Sequence, residues 1–324
     1  MEQSSSTKPI CKDLSICSIT WNLHGETPQP STVNLLLKQD KKYDMYVIGT
    51  QECLRSILVS FFISSKKEWE DLLLDNLGRD DYVMVSAETM NAIHIVVIIK
   101  KELSQYISAI GSSYVRTGGY TFLGNKGAVF TWFKFQDTPM IFINCHLAAY
   151  REFQARRNEH YMYITNNITV WNYSDVFGEN IEVDPVGKDV LNKFHFCLWM
   201  GDYNSRNDLS GKELLQFINE SNVKEILKQD QLNKAIFNNE VDFNGFVEHP
   251  IMFPPTYKFN PGELRKYYIN EEEGHVPSYT DRIFYRMNPD ISGLKINIKT
   301  YASNSGIELS DHKPVILNFE LSFS

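Results

Sequence analysis

Short apolar runs, rich in β-branched residues and almost free of charge, are the feature that most limits what this chain can fold into. They are Leu14–Thr20, Met45–Gly49, Ile93–Ile99, Ala128–Phe133, Met140–Asn144, Phe194–Met200 and Pro314–Leu321. Runs of this length bounded by polar turns read as strands, and strands without charge on either side are buried on both faces. Helical spacing is rarer. It occurs in Val33–Leu37, in Trp69–Leu77, in the polar-faced stretch Arg151–Ile164, and in Gly211–Leu227, where Leu214, Leu215, Phe217 and Ile218 share a side. Ala128–Phe133 and Met140–Ile143 are separated only by a turn containing Asp137 and Pro139, a hairpin signal with no room for a crossover helix. The sheets are therefore expected to be mixed, and the fold an α/β sheet sandwich with helices outside.

No Pro/Gly/Ser linker and no repeat divides the 324 residues, so residues 13–324 read as a single domain behind a flexible Ser- and Lys-rich stretch, 1–12. The formal net charge of −8 argues against a nucleic-acid coat that works by positive field, though it leaves room for local basic pockets. Five widely spaced cysteines without a C-x-x-C pair point to a reducing compartment rather than a disulfide framework or zinc site. No secretory signal is visible, and the longest apolar run, Ile93–Ile99, is far short of the roughly 20 residues a membrane span needs. The expectation is a cytoplasmic, soluble protein or an isolated piece of a larger one.

The polar residues that close each strand carry the chemistry. Leu14–Thr20 runs into Trp21-Asn22, Met45–Gly49 into Gln51-Glu52, Met140–Asn144 into Cys145-His146, and Phe194–Met200 into Gly201-Asp202-Tyr203-Asn204. Near the end the order inverts, because Ser310-Asp311-His312 precedes Pro314–Leu321. If the last strand runs antiparallel to the others, one sheet edge gathers Asn22, Glu52, His146, Asp202, Asn204, Asp311 and His312. Taken singly these are ordinary turn residues, solvated carboxylates or core histidines. Their coincidence at strand ends, where pockets commonly form, is the signal.

A carboxylate with an amide oxygen suits a hard cation such as Mg²⁺, and two histidines without cysteine make structural zinc improbable. A histidine held by an aspartate serves as phosphate-contacting cation or proton donor, according to its pKa. A second aspartate with an asparagine orients and activates water. No nucleophile elbow is present. The set points to phosphoester hydrolysis by direct attack of water with metal-assisted charge stabilisation.

A longer series of motifs stands in order. It comprises Trp21-Asn22, Gln51-Glu52, Gly124-Asn125-Lys126-Gly127, Asn144-Cys145-His146-Leu147-Ala148-Ala149, Arg156-Arg157-Asn158, Gly201-Asp202-Tyr203-Asn204, Phe253-Pro254-Pro255-Thr256-Tyr257-Lys258, Pro277-x-x-x-Asp281-Arg282-Ile283 and Ser310-Asp311-His312-Lys313-Pro314. With these the chain resembles, from about Leu14 to Phe319, the catalytic domain of the inositol polyphosphate 5-phosphatases, within the DNase I-like endonuclease/exonuclease/phosphatase superfamily. The resemblance implies a four-layer α-β-β-α sandwich of two mixed sheets. It implies a monomeric domain that removes the 5-phosphate from phosphoinositides, such as the 4,5-bisphosphate and 3,4,5-trisphosphate lipids, or from soluble inositol polyphosphates, with Mg²⁺ as cofactor and no nucleic-acid partner. Carried over residue by residue, Glu52 holds the metal with Asn22 beside it. Asp202 deprotonates the water with help from Asn204. His312 contacts the scissile phosphate with Asp281 orienting its ring, Asp311 completes the polar floor, and His146 holds another phosphate oxygen supported by Arg157. Asn125 and Lys126 are expected near the 1-phosphate, and Tyr257 and Lys258 near the 4-phosphate.

The chain also departs from the family pattern. Glu271-Glu272-Glu273-Gly274-His275 occupies the place of a usual basic pair, which leaves 4-phosphate recognition to Tyr257 and Lys258, with Arg265 and Lys266 as the alternative cations. Tyr279-Thr280 replaces Trp-Cys, His24 replaces a frequent Asn, and Tyr150 replaces a second His. The run Leu58–Ile63 beside Lys66-Lys67 reads either as a peripheral membrane contact or as the start of a core helix. Two rival functions remain at this point: a nuclease of the same superfamily, and a non-catalytic phosphoinositide-binding module.

Overall fold

The computed structural model describes residues 11–38, 42–54, 66–117, 126–178, 186–263, 266–291 and 293–323. Twelve strands among them form two six-stranded mixed sheets. One sheet runs in the order β11 (Leu294–Ser303), β12 (Val315–Phe323), β1 (Asp13–Asn22), β2 (Met45–Gln51), β4 (Ile93–Lys100), β3 (Tyr82–Met90). The other runs β5 (Ile107–Arg116), β6 (Gly127–Phe135), β7 (Thr138–His146), β8 (Phe196–Asp202), β10 (Asp281–Met287), β9 (Val247–Glu248). The pairs β1–β2 and β7–β8 are parallel and the remaining pairs antiparallel, so the expected mixed sheets and the β6–β7 hairpin are present.

Period-two alternation on buried strands builds the layers. Leu14 and Ile16 of β1, Phe142 of β7, Phe196, Leu198 and Met200 of β8, and Leu317 and Phe319 of β12 meet in a core between the sheets. The alternate residues Cys17, Ile19 and Trp21 face α1 (Pro30–Leu37) and α2 (Lys67–Leu77) through Val33, Leu36, Trp69 and Leu73. On the far side, Ile141, Ile143, Cys197 and Trp199 pack on Tyr161 and Ile164 of α3 (Gln154–Asn167). Short helices α4 (Tyr173–Phe177) and α5 (Lys188–Lys193) extend that layer through Val176, Val190 and Leu191. The result is the four-layer α-β-β-α sandwich.

Several elements differ from expectation. Gly211–Leu227 is two helices, α6 (Gly211–Asn219) and α7 (Val223–Lys228), broken where Ser221 takes φ +56°. The Phe194 run enters its strand only at Phe196, and the Arg151 helix opens with a 3₁₀ turn, Arg151–Phe153. Strands β3, β5, β9, β10 and β11 were not expected, because none carries a long uninterrupted apolar run. In β10 the charges of Arg282 and Arg286 interrupt the pattern. Arg282 is nonetheless buried, bonded to Glu248 and to Asp230 at the start of α8 (Gln231–Phe237). Of residues 1–12, the first ten lie outside the described residues, while Cys11 exchanges two hydrogen bonds with the Gln136 side chain. All five cysteines are free. Among the described residues no helix is long and apolar enough to cross a membrane.

Candidate active site

The alternation that buries Leu14 and Ile16 places Ser18, Thr20 and Asn22 on the same inward face of β1. On β7 it carries Met140 and Phe142 into Asn144 and His146, and on β8 Leu198 and Met200 into Asp202. The inter-sheet core thus turns polar at one end. Register aligns those ends: Asn22 lies opposite Gln51, His146 opposite Asp202, and Asp202 opposite Asp281. Because β10 and β12 run antiparallel to their neighbours, their starts join the ends of the others. Gly201, at φ +148°, lets β8 pass close to β7 just before Asp202, since a Cβ there would lie 2.2 Å from the Cys145 carbonyl oxygen. Beneath the site, Gln51 Nε2 donates to Asn144 Oδ1 at 2.6 Å and ties the two sheets together.

Asp202 is buried at the centre. It accepts hydrogen bonds from Asn22 Nδ2 at 3.0 Å and the Asn204 amide at 2.8 Å, and His146 Nε2 lies 3.3 Å away. Burial would raise this carboxyl, but His146, His312 and Lys126 hold it well below the usual carboxylate range. The Lys126 Nζ touches His146 Nε2. Burial lowers Lys126 to about 8, and burial together with Lys126 pushes His146 down, so His146 is neutral.

His312 Nδ1 sits 3.0 Å from Asp281 Oδ2, and both groups are buried. Thr256 and Thr280 each donate to the same carboxylate oxygen, at 2.7 and 2.8 Å. Burial opposes the charge on His312, yet Asp281, Asp202 and Asp311 overcome it and push the imidazole up to about 10. His312 is therefore a cation facing an anionic centre. Its loop is tied to β1 by Ser310 Oγ, which donates to the Asn22 carbonyl at 2.7 Å, and by Trp21 Nε1, which donates to the His312 carbonyl at 3.1 Å.

Glu52 follows β2 at φ +49°, half-buried, its Oε1 4.0 Å from His146 Nε2. No hydrogen bond to its carboxylate occurs among the described residues, which suits it to a cation. Asp202, Asp281 and His312 also place ligand atoms within 4.8 Å of one another. That trio is the poorer site, because Asp202 is taken up by Asn22 and the Asn204 amide, and Asp281 by Thr256, Thr280 and His312 itself. On the rim, Lys258 Nζ is 3.5 Å from Asp311 Oδ2, and the Tyr257 ring lies 4.6 Å from that of His312.

The structure thus brings together Asn22, Glu52, Lys126, His146, Asp202, Asn204, Asp281, Asp311 and His312, with Tyr257 and Lys258 alongside. Arg157 is not in the cleft. Its guanidinium donates to the carbonyls of Ala148 and Tyr150 and to Gln231, anchoring α3 behind the site. Asn125, Arg265 and Leu58–Ile63 lie outside the described residues. Lys266 pairs with Glu263, Glu271 accepts from the Gly211 amide at the start of α6, and Glu273 pairs with His275. Sequence reasoning missed Thr256 and Thr280, which hold Asp281, and Arg206, two residues beyond Asn204. Their signal lay inside or beside the motifs, at positions that read as spacers.

Residues 19–318 match the family described as Endonuclease/Exonuclease/phosphatase family 2. The chain is 32% identical over 328 residues to phosphatidylinositol 3,4,5-trisphosphate 5-phosphatase 2A of Danio rerio, covering 95% of this chain and 24% of that protein. It is 32% identical over 323 residues to phosphatidylinositol 3,4,5-trisphosphate 5-phosphatase 2 of Homo sapiens, with 93% and 24% covered. The chain therefore spans about a quarter of the length of these curated relatives. Among solved structures, the inositol polyphosphate 5-phosphatase domain of SPsynaptojanin, in complex with inositol (1,4)-bisphosphate and calcium ion, superposes with a TM-score of 0.78 at 28% identity, covering 96% of this chain and 86% of that one. A Cimex nitrophorin superposes with a TM-score of 0.70 at 19% identity, a likeness of fold alone.

Proposed function

We propose, from the premise that this chain belongs to the endonuclease/exonuclease/phosphatase family, that it hydrolyses the 5-phosphate of phosphoinositides and of soluble inositol polyphosphates. The single observation that carries the reading is the pairing of a cationic, Asp281-held His312 with an ionised, buried Asp202 at the polar end of one inter-sheet core. An anion-binding cation and a water-ordering carboxylate on the same floor are what in-line attack of water on a phosphate monoester requires. The phosphatidylinositol 3,4,5-trisphosphate 5-phosphatase relatives and the inositol bisphosphate bound by the synaptojanin domain point to the same substrate class.

In this mechanism Asp202 takes a proton from the water as the water oxygen attacks phosphorus; the bond from phosphorus to the ring oxygen breaks, and that oxygen leaves as the inositol hydroxyl, its proton supplied through water as Asp202 returns its own to solvent. Asn22 and the Asn204 amide hold Asp202 in place. His312 donates to a non-bridging oxygen, and Asp281 keeps its ring charged and oriented. Lys126 is the cation of its pair with neutral His146, and the two face the same phosphate. Lys258 and Tyr257 meet the neighbouring ring phosphate. Glu52 and Asn22 are the residues that would hold a divalent cation, for which we propose Mg²⁺. That ion, when bound, neutralises charge on the phosphoryl group and the leaving oxygen. Residues 13–324 act as one monomeric catalytic domain, working in the cytoplasm on substrates at the membrane surface.

The test is phosphate release from vesicles carrying the 4,5-bisphosphate or 3,4,5-trisphosphate lipid, from inositol 1,4,5-trisphosphate, and from an abasic-site DNA duplex, each with Mg²⁺ or with EDTA. Release from the inositol substrates, dependent on Mg²⁺, is expected. Cleavage of the DNA alone, or tight lipid binding without turnover, would overturn the reading.

A further inference from the structure

We infer that Arg206 is a positioning residue that sets the orientation of the Asn204 side-chain amide, so that an N–H rather than the carbonyl oxygen is presented to the phosphate. The inference rests on the phosphatase reading above and adds a residue to it.

An asparagine amide has nearly the same shape either way round, and only its neighbours decide which end points where. Asn204 has one neighbour of each kind. Arg206 Nη2 donates to Asn204 Oδ1 at 2.8 Å, and a guanidinium can only donate. The Leu147 carbonyl oxygen meets Asn204 Nδ2 at 3.1 Å, and a carbonyl can only accept. Turning the amide over would set donor against donor on one side and acceptor against acceptor on the other. One hydrogen of Nδ2 is used by Leu147, and the second has no acceptor among the described residues. Asn204 itself is held at φ +50°, with its backbone amide on Asp202 Oδ1, so its side chain has one anchored origin.

Arg206 is an odd residue to find there for stability alone. It is 3% exposed, its Nε and Nη1 have no hydrogen-bond partner among the described residues, and no carboxylate ion pair to it occurs among them either. Its other support is the ring of Tyr257, whose centroid lies 4.3 Å from Cζ. A buried cation with one hydrogen bond and one cation–π contact is a poor stabiliser, and replacing such a group by an apolar one is often neutral. Its presence is explained by what it does to Asn204. The stack also ties that task to the rim, because Tyr257 precedes Lys258 and packs on His312.

The experiment is a double-mutant cycle on phosphate release from inositol 1,4,5-trisphosphate, with melting temperature measured on every variant. Arg206→Met keeps the length and removes the donor. It is expected to lower kcat about ten- to hundredfold, with KM within about twofold and little loss of stability. Arg206→Lys, which keeps a donor for Oδ1, is expected to recover most of that loss. In an Asn204→Ala background, Arg206→Met should add nothing further, because its only route is gone. The inference is overturned if the two losses multiply, if the loss lies in KM, or if Arg206→Lys is no better than Arg206→Met. Should Arg206→Met fail to fold, Arg206→Leu, which also lacks a donor, takes its place in the cycle. A wild type inactive on every inositol phosphate would sink the phosphatase reading instead. The inference would then be judged by the ¹⁵N-labelled Asn204 side-chain amide resonances, which Arg206→Met must shift.

Discussion

Replacing Asp281 by asparagine removes the charge that keeps His312 protonated while leaving the shape of the site nearly unchanged. His312 Nδ1 lies 3.0 and 3.2 Å from the two Asp281 oxygens. At that separation a unit pair attracts by roughly 5 kcal/mol at an effective dielectric of 20. Asparagine still offers one oxygen to Thr256 and Thr280 but no charge to the imidazole. Asp202 and Asp311 remain, the nearer Asp311 oxygen being 3.9 Å from Nε2. The expected fall in the His312 pKa is about 2 to 3 units, from the wild-type value of about 10. At pH 8 the charged fraction then drops from nearly all to about a quarter. The assay is kcat/KM against pH from 6 to 10.5, with an NMR titration of the His312 ring. The wild-type alkaline limb should lie near 10 and that of Asp281→Asn some 2 to 3 units lower, with acid-side rates much closer together. Stability follows the same sign. A histidine raised in the folded state contributes fully below its unfolded pKa of 6.5, and that contribution is lost as pH rises from 6.5 through about 10. The wild-type melting temperature should therefore fall across this window more steeply than that of the variant. An alkaline limb that stays put in Asp281→Asn would refute the assignment of His312 as an aspartate-held cation.

Further outcomes are expected at other positions. Glu52→Gln keeps the side-chain volume but loses the charge that holds a hard cation, so turnover should drop at least about a hundredfold while calorimetric Mg²⁺ binding weakens; near-normal turnover in excess EDTA would refute it. Asp202→Asn should lower kcat about 10² to 10⁴-fold with KM little changed, and a KM effect alone would show that Asp202 binds rather than activates. Lys258→Ala should erase the preference for 4,5-bisphosphate over 3,5-bisphosphate lipid. With Glu273 and His275 paired beside it, that preference is expected to be shallow, about one to two decades; an unchanged ratio would clear Lys258 of the task. Arg157→Met should lower the melting temperature without raising KM, since its bonds run to Ala148, Tyr150 and Gln231, and the opposite pattern would return Arg157 to the cleft.

The sandwich and most of the site were legible in the chain because both are written locally. A strand buried on both faces must be apolar throughout, so β1, β2, β4, β7 and β8 declare themselves, and a polar residue closing such a run must lie at a sheet edge. Asn22, Glu52, His146 and Asp202 were found that way. Strand β10 was not, because Arg282 is acceptable in a core only with Asp230 and Glu248 beside it, and those arrive from other parts of the chain. Arg157 and Arg206 show the same boundary. Each is an arginine next to a catalytic motif, and nothing local tells which one turns to backbone carbonyls and which to Asn204. Protonation is more remote still. Whether His312 is a cation depends on Asp281, 31 residues away, and the Asp202 carboxylate is oriented by Asn22, 180 residues away. Which groups stand at the strand ends follows from the chain alone, since alternation and burial act within a single strand. Which way each group points, and what charge it carries, was decided by the tertiary structure, because hydrogen-bond orientation and buried fields come from neighbours that only the closed sandwich brings within a few ångströms.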